Sequence, residues 1–182
     1  MEFGSGNCHF DLTLYPLPIR IPAKKMKHTT VNTYRKDKYY PRVVRAVGKI
    51  LARTDVVAPS DILIEMGNLS KINYEAWRTG QVPYLERVFE GSLSKANRIL
   101  RIIGFHVHDL NMVPRQTVYH QWGKGKKRIL KFSKSGDPNL EKAYSRHYIW
   151  NQSQENKLKT INQTTSEQGD AVDQGHSGTI EK

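Results

Sequence analysis

The sequence predicts a mainly α-helical fold with a small β-hairpin: a helical bundle of helix-turn-helix or winged-helix character, with disordered ends. Apolar residues recur at helical spacing in successive blocks from Pro41 onward. Glycines and prolines fall at the block boundaries, as at Gly67, Gly80 and Pro83. Strand-like residue types are confined to one stretch, from about residue 116 to 132.

Residues 1–36 read as an extended or disordered basic arm. Pro16, Pro18 and Pro22 forbid a helix there, and Lys24, Lys25 and Lys27 follow. Residues 37–150 read as a single domain, because the chain has apolar material for one core.

The first helix is expected over about Pro41–Arg53, with Val43, Val44, Val47, Ile50 and Leu51 forming its inner stripe. Arg42, Arg45, Lys49 and Arg53 fall outside that stripe. A second, short helix is expected from Pro59 or Ser60 to Gly67, with Asp61 in its first turn. Ser70 is placed to cap a third, Lys71–Arg78, with Ile72, Ala76 and Trp77 inward.

These two short helices with a glycine turn between them fit a helix-turn-helix, whose second helix presents side chains to the major groove. Lys71, Asn73 and Arg78 would then face the bases or phosphates. Aligning Gly67 with the motif's turn glycine puts Asn73 where an aliphatic residue is usual. A plain helical hairpin with polar residues in water is an equal reading.

Pro83 is expected to open a fourth helix carrying Tyr84, Leu85, Val88 and Phe89. After Gly91, that helix bends or Ser92 caps a new one, which Gly104 should stop. Thr117–Trp122 and Arg128–Phe132 should pair as a hairpin around the glycines of Gly123-Lys124-Gly125-Lys126-Lys127. Asp137-Pro138 should start a last helix lined by Leu140, Ala143, Tyr144, His147 and Tyr148. Residues 151–182, rich in Gln, Asn, Ser and Thr, read as a disordered polar tail.

Charge sets the functional expectation. The formal net charge is +12, and residues 151–182 hold three Lys and five acids, so 26 basic face 12 acidic residues in the remainder. Eleven basic residues lie between Arg20 and Arg53 against the single acid Asp37, and seven lie between Arg115 and Lys134 against none. Tyrosines 34, 39 and 40 interleave with the first set and Tyr119, Trp122 and Phe132 with the second, a composition suited to phosphate contacts and ring stacking. Packing against the core is the commoner use of such rings.

The expected partner is therefore a polyanion, nucleic acid before an anionic membrane, and DNA before RNA. Candidate contacts are Lys24, Lys25, Lys27, Arg42, Arg45, Lys49, Lys71, Asn73, Arg78, Lys124, Lys126, Lys127 and Arg128. The alternative is a protein-interaction or structural module whose basic face meets an acidic partner.

Catalytic patterns are weak. Ser92-Leu93-Ser94-Lys95 and Lys134-Ser135-Gly136 match two elements of penicillin-recognising serine enzymes, but the S-D-N element is missing and the two lie too close together. A cap and a strand exit explain them better. His106, His108 and Asp109, with His120, have ligand-like spacing, although loop histidines on a basic domain are usually unliganded. We expect no enzyme, no metal and no cofactor.

Cys8 is the only cysteine, which leaves no internal disulfide and fits a reducing cytoplasm. No long apolar run predicts a membrane span, and the N-terminus makes a poor signal peptide.

Trp77-Arg78-x-Gly80-x-Val82-Pro83-Tyr84-Leu85-Glu86-Arg87-Val88, the Leu93–Lys95 stretch and Phe132-Ser133-Lys134-Ser135-Gly136 together resemble a group of small bacterial proteins of unassigned function. The resemblance spans about residues 57–148 and implies a self-contained domain in a bacterial cytoplasm. It brings no site residues with it.

Overall fold

Helices α1 (Tyr40–Leu51), α2 (Pro59–Glu65), α3 (Lys71–Arg78), α4 (Leu93–Asp109), α5 (Pro138–Ser145) and α6 (Gln154–Ser166) make up most of the described chain. The structure is a computed structural model that describes residues 29–166 apart from Lys126. Strands β1 (Val56–Val57), β2 (Val113–Gln116) and β3 (Arg146–Ile149) form an antiparallel sheet in the order β1-β3-β2. Val56 and Val113 both align with Ile149, on opposite edges of β3. The fold is thus mainly helical, as the sequence predicts, with a small antiparallel sheet built from other segments than the expected hairpin.

Local chemistry sets most of the boundaries. Pro41 occupies the first turn of α1, where its missing N–H costs nothing. Ser70 Oγ accepts the Asn73 N–H and Ser92 Oγ the Lys95 N–H, capping α3 and α4. Asp137 accepts from the N–H groups of both Asn139 and Leu140 at the start of α5.

Three helices end in the same way, on a residue with positive φ. After α2 it is Gly67, with Gly67 N–H bonded to Ile64 O and Asn68 N–H to Leu63 O, both at 2.9 Å. Gly80 plays this part after α3.

The third is where expectation fails. Gly104 does not stop α4, which continues to Asp109 and ends on Asn111 at φ 51°, with Met112 N–H bonded to Val107 O at 3.1 Å. An interior glycine costs about 1 kcal/mol of helix propensity. Burial of His106 and Val107 beyond it holds the helix together.

The core gathers Val43, Val47, Ile50 and Leu51 from α1, Ile62 and Leu63 from α2, and Ile99, Ile102 and Ile103 from α4. Beside it lies an aromatic cluster. Trp77 and Phe132 have ring centroids 4.9 Å apart, Tyr119 meets Phe132 edge-on at 4.9 Å, and Tyr144 stacks on Phe132 at 5.5 Å.

Five other expectations are corrected. Pro83 does not open a helix: Tyr84 is extended and bridges to Lys131, and only a single 3-10 turn, Leu85–Val88, follows. The expected hairpin at 116–132 keeps only a bridge between His120 and Ile129, with Leu130 N–H to Tyr119 O and Gln121 N–H to Arg128 O, each 2.8 Å. Two of its other backbone groups turn to the α3 region, where Trp122 N–H reaches Arg78 O at 2.6 Å and Lys131 O accepts from Trp77 Nε1 at 2.8 Å.

The last predicted helix stops at Ser145, and His147 and Tyr148 lie instead on β3, the central strand. Residues 154–166, read as disordered tail, form α6, which packs along α1. The rest of that tail and the arm through residue 28 lie outside the described residues. Ile72 also departs from its inward assignment, being 78% exposed, since it lies about 140° around α3 from the fully buried Trp77.

Candidate functional site

Two surfaces hold the chemistry, one on α1 and one between α2, α3 and the segment after β2. On α1 the buried valines and Ile50 fix the rotation of the helix, which forces Arg42, Arg45 and Lys49 to its exposed side. Arg53, one turn past Lys49, extends the row to roughly 16 Å at the helical rise. Arg42, Arg45 and Lys49 line a shallow hollow of about 190 Å³ together with Glu65 and Met66.

Glu65 is the one carboxylate lining that hollow. It lies 4.0 Å from Lys49 and 2.5 Å from Arg53, while the Arg42 guanidinium donates to the Met66 carbonyl oxygen. Four cations therefore share one acid, and Arg45 has no ion-pair partner among the described residues.

The second surface is an open cleft of roughly 210 Å³, lined by Asp61, Tyr74, Arg78, Thr117, Tyr119 and His147 among others. Arg78 is its most constrained member. Its guanidinium lies 4.5 Å from the Trp122 ring centroid and 4.8 Å from that of Tyr119, and its Nη atoms donate to Tyr74 Oη at 3.2 Å and His120 O at 3.4 Å. Its Nε is buried without a partner.

Tyr119 Oη lies 2.7 Å from His147 Nε2 and 3.4 Å from Ser60 Oγ. Burial pushes the Tyr119 phenol well above its usual range and holds the His147 imidazole below its own, helped by the positive Arg78, so both are neutral near pH 7. Burial raises the Asp61 carboxyl, against a lowering by Arg53 and with a further rise from Glu65. That carboxylate accepts no hydrogen bond from the described residues.

The predicted contact residues divide accordingly. Arg42, Arg45 and Lys49 come together on α1; Lys124, Lys127 and Arg128 are exposed around the bend after Trp122. Lys71 is exposed at the start of α3, and Asn73 is half-buried. Arg78 is held among aromatic rings, away from any outward-facing row. Lys24, Lys25, Lys27 and Lys126 lie outside the described residues.

Helices α2 and α3 do form a pair joined by a glycine turn, yet the exposed side of α3 offers Lys71, Ile72, Glu75 and Thr79, a poor set for a groove. Helix α2 lies between the two surfaces. Glu65 touches the α1 cations, and Asp61, one helical turn earlier, faces the cleft.

Asp61, Tyr119 and His147 were not candidates from sequence. They lie up to 86 positions apart, and each had a local explanation: a first-turn acid, a strand aromatic, a helix-face histidine. His106 and His108 fall on α4, one buried and one exposed, so their H-x-H spacing places them on different sides of a helix. Among the described residues no group of three His, Cys, Asp or Glu is arranged to hold a metal, and no helix is long and apolar enough to cross a membrane. Comparison with protein-family models, with curated proteins and with solved structures finds no match for this chain.

Proposed function

We propose that the protein binds nucleic acid through the cationic row of α1, with the bend at Lys124–Arg128 as a second contact. The observation that carries this reading is the row itself: Arg42, Arg45 and Lys49 on one exposed side of α1, continued by Arg53 in the turn just past its end and opposed by Glu65 alone. A rigid helix holds these charges in register at little entropic cost, as tracking a phosphate backbone requires. Exposed Val118, Trp122 and Ile129 beside Lys124, Lys127 and Arg128 supply the apolar surface on which a base can rest.

The test is a titration of labelled duplex and single-stranded oligonucleotides at about 50 and 200 mM salt. Affinity should fall steeply between the two, by a factor on the order of a hundred if four or five phosphates are neutralised. The pair Arg45→Glu and Lys49→Glu should weaken binding and flatten its salt dependence. Absence of binding at about 50 mM salt overturns the reading and leaves an acidic protein partner for the same row.

A further inference from the structure

We infer that the Asp61–Arg78 cleft takes a single unpaired guanine, so that the preferred ligand is a single strand in which one base leaves the stack. This rests on the reading of the α1 row as a phosphate contact and goes beyond it by naming what the neighbouring cleft recognises.

The cleft's electrostatics exclude most ligands. A phosphate or carboxylate would meet Asp61, whose carboxylate lacks any hydrogen-bond donor among the described residues. An amine would meet the permanently charged Arg78. What satisfies both is a neutral group with donors at one end and an acceptor at the other.

The Watson–Crick edge of guanine has this order: the N2 amino group, N1–H, then the O6 carbonyl. Two adjacent N–H donors match the two oxygens of one carboxylate, and O6 matches a guanidinium N–H. Arg78 retains N–H groups beyond the two it gives to Tyr74 and His120. Adenine and cytosine each offer one donor group beside a ring acceptor, and that acceptor would face Asp61.

Size and surroundings agree. A volume of roughly 210 Å³ is below the range for drug-sized ligands and suits one base. Tyr74 on the wall, with Trp122 edge-on to it at 6.2 Å, provides aromatic surface of the type on which extruded bases stack. The α2 geometry connects the parts, because Glu65, which pairs with Arg53 at the end of the α1 row, lies one helical turn from Asp61. A strand whose phosphates follow α1 can therefore deliver a base to the cleft.

The experiment compares ten-nucleotide strands of uracil (or thymine) carrying one central guanine, inosine or adenine, in ribo and deoxy series, with the full-length protein. Wild-type protein should prefer guanine over adenine by about tenfold, the worth of one bidentate base contact, with inosine between because it lacks the 2-amino donor. Asp61→Asn should remove that preference, so that the guanine and adenine strands bind alike.

The wild-type series alone is decisive, whatever the variant's stability. Equal binding of the guanine and adenine strands in both sugar series, with salt-dependent binding intact, overturns the guanine site and spares the α1 reading. Loss of all binding overturns both.

Discussion

The Glu86 carboxylate accepts the backbone N–H of Lys134 at 3.0 Å, tying together two stretches 48 residues apart. The link continues through the backbone, with Glu86 N–H to Phe132 O at 2.9 Å, and through the indole, with Trp77 Nε1 to Lys131 O at 2.8 Å. Trp77–Val88 and Phe132–Gly136, the segments with the most distinctive sequence, are therefore one hydrogen-bonded unit. Glu86 is only 8% exposed, and its other oxygen takes the Tyr144 hydroxyl at 3.4 Å.

Glu86→Ala strands the Tyr144 hydroxyl in the interior and takes the acceptor from the partly buried Lys134 N–H, which should cost about 2 kcal/mol. Glu86→Gln keeps an acceptor and should cost distinctly less. Urea unfolding midpoints of both variants measure this; equal and small losses would show that the carboxylate does not hold the loop.

The helices were legible in sequence because their signals are local. Pro41, Ser70, Ser92 and Asp137 mark starts by supplying or sparing hydrogen bonds within a few residues, and Gly67 and Gly80 mark ends through positive φ. The sheet was not legible. Its two-residue β1 has no periodicity, and Leu140, Ala143, Tyr144, His147 and Tyr148 keep helical spacing across the change from α5 to β3. Only pairing with β1 and β2 makes residues 146–149 a strand. The cleft was invisible for the same reason, since Asp61, Arg78, Tyr119 and His147 meet only after α2, α3 and β3 are assembled. The α1 row needed nothing beyond its own amphipathic pattern.

Gly48 should separate helix propensity from packing. It is buried in α1, and a Cβ there would collide with Thr164 of α6, whose own Cβ would be 3.0 Å away. In a chain ending at residue 152, Gly48→Ala should stabilise α1 by up to about 1 kcal/mol. In the full chain the same substitution should destabilise, because α6 must move aside. Thermal unfolding of the two pairs reports the sign, and hydrogen exchange over residues 154–166 reports the undocking. The same sign in both chains would mean that α6 does not rest on α1.

Asp61 should trade stability for binding. Its folded pKa is raised, so the folded state binds protons more readily than the unfolded chain over the range between the two values. That contribution is fully present below the unfolded pKa and is lost as pH rises through the folded value, leaving the ionised, unpaired carboxylate as a net cost at neutral pH. Asp61→Asn should accordingly raise the melting temperature at pH 7 by up to a few degrees. The gain should disappear at acid pH, where wild-type Asp61 is already protonated. A loss of stability at pH 7 would mean that the carboxylate has a stabilising partner in the fold.

His106, buried on α4, provides an opposite pH dependence. Its ring is 7% exposed, its Nε2 is buried without a hydrogen-bond partner, and Tyr40 packs edge-on against it at 5.6 Å. Burial lowers its pKa to about 4, with Asp109 opposing that shift and Arg35 adding to it. Between about 6.5 and about 4 the unfolded chain takes up a proton that the folded chain refuses, so stability falls as pH falls through this window. The full shift corresponds to a loss on the order of 3 kcal/mol. Urea unfolding of wild type and His106→Leu at pH 7.5 and 4.5 isolates the effect from the carboxylates, which titrate in both proteins. The wild type should lose more stability than the variant on acidification, and parallel losses would place the His106 ring in contact with water.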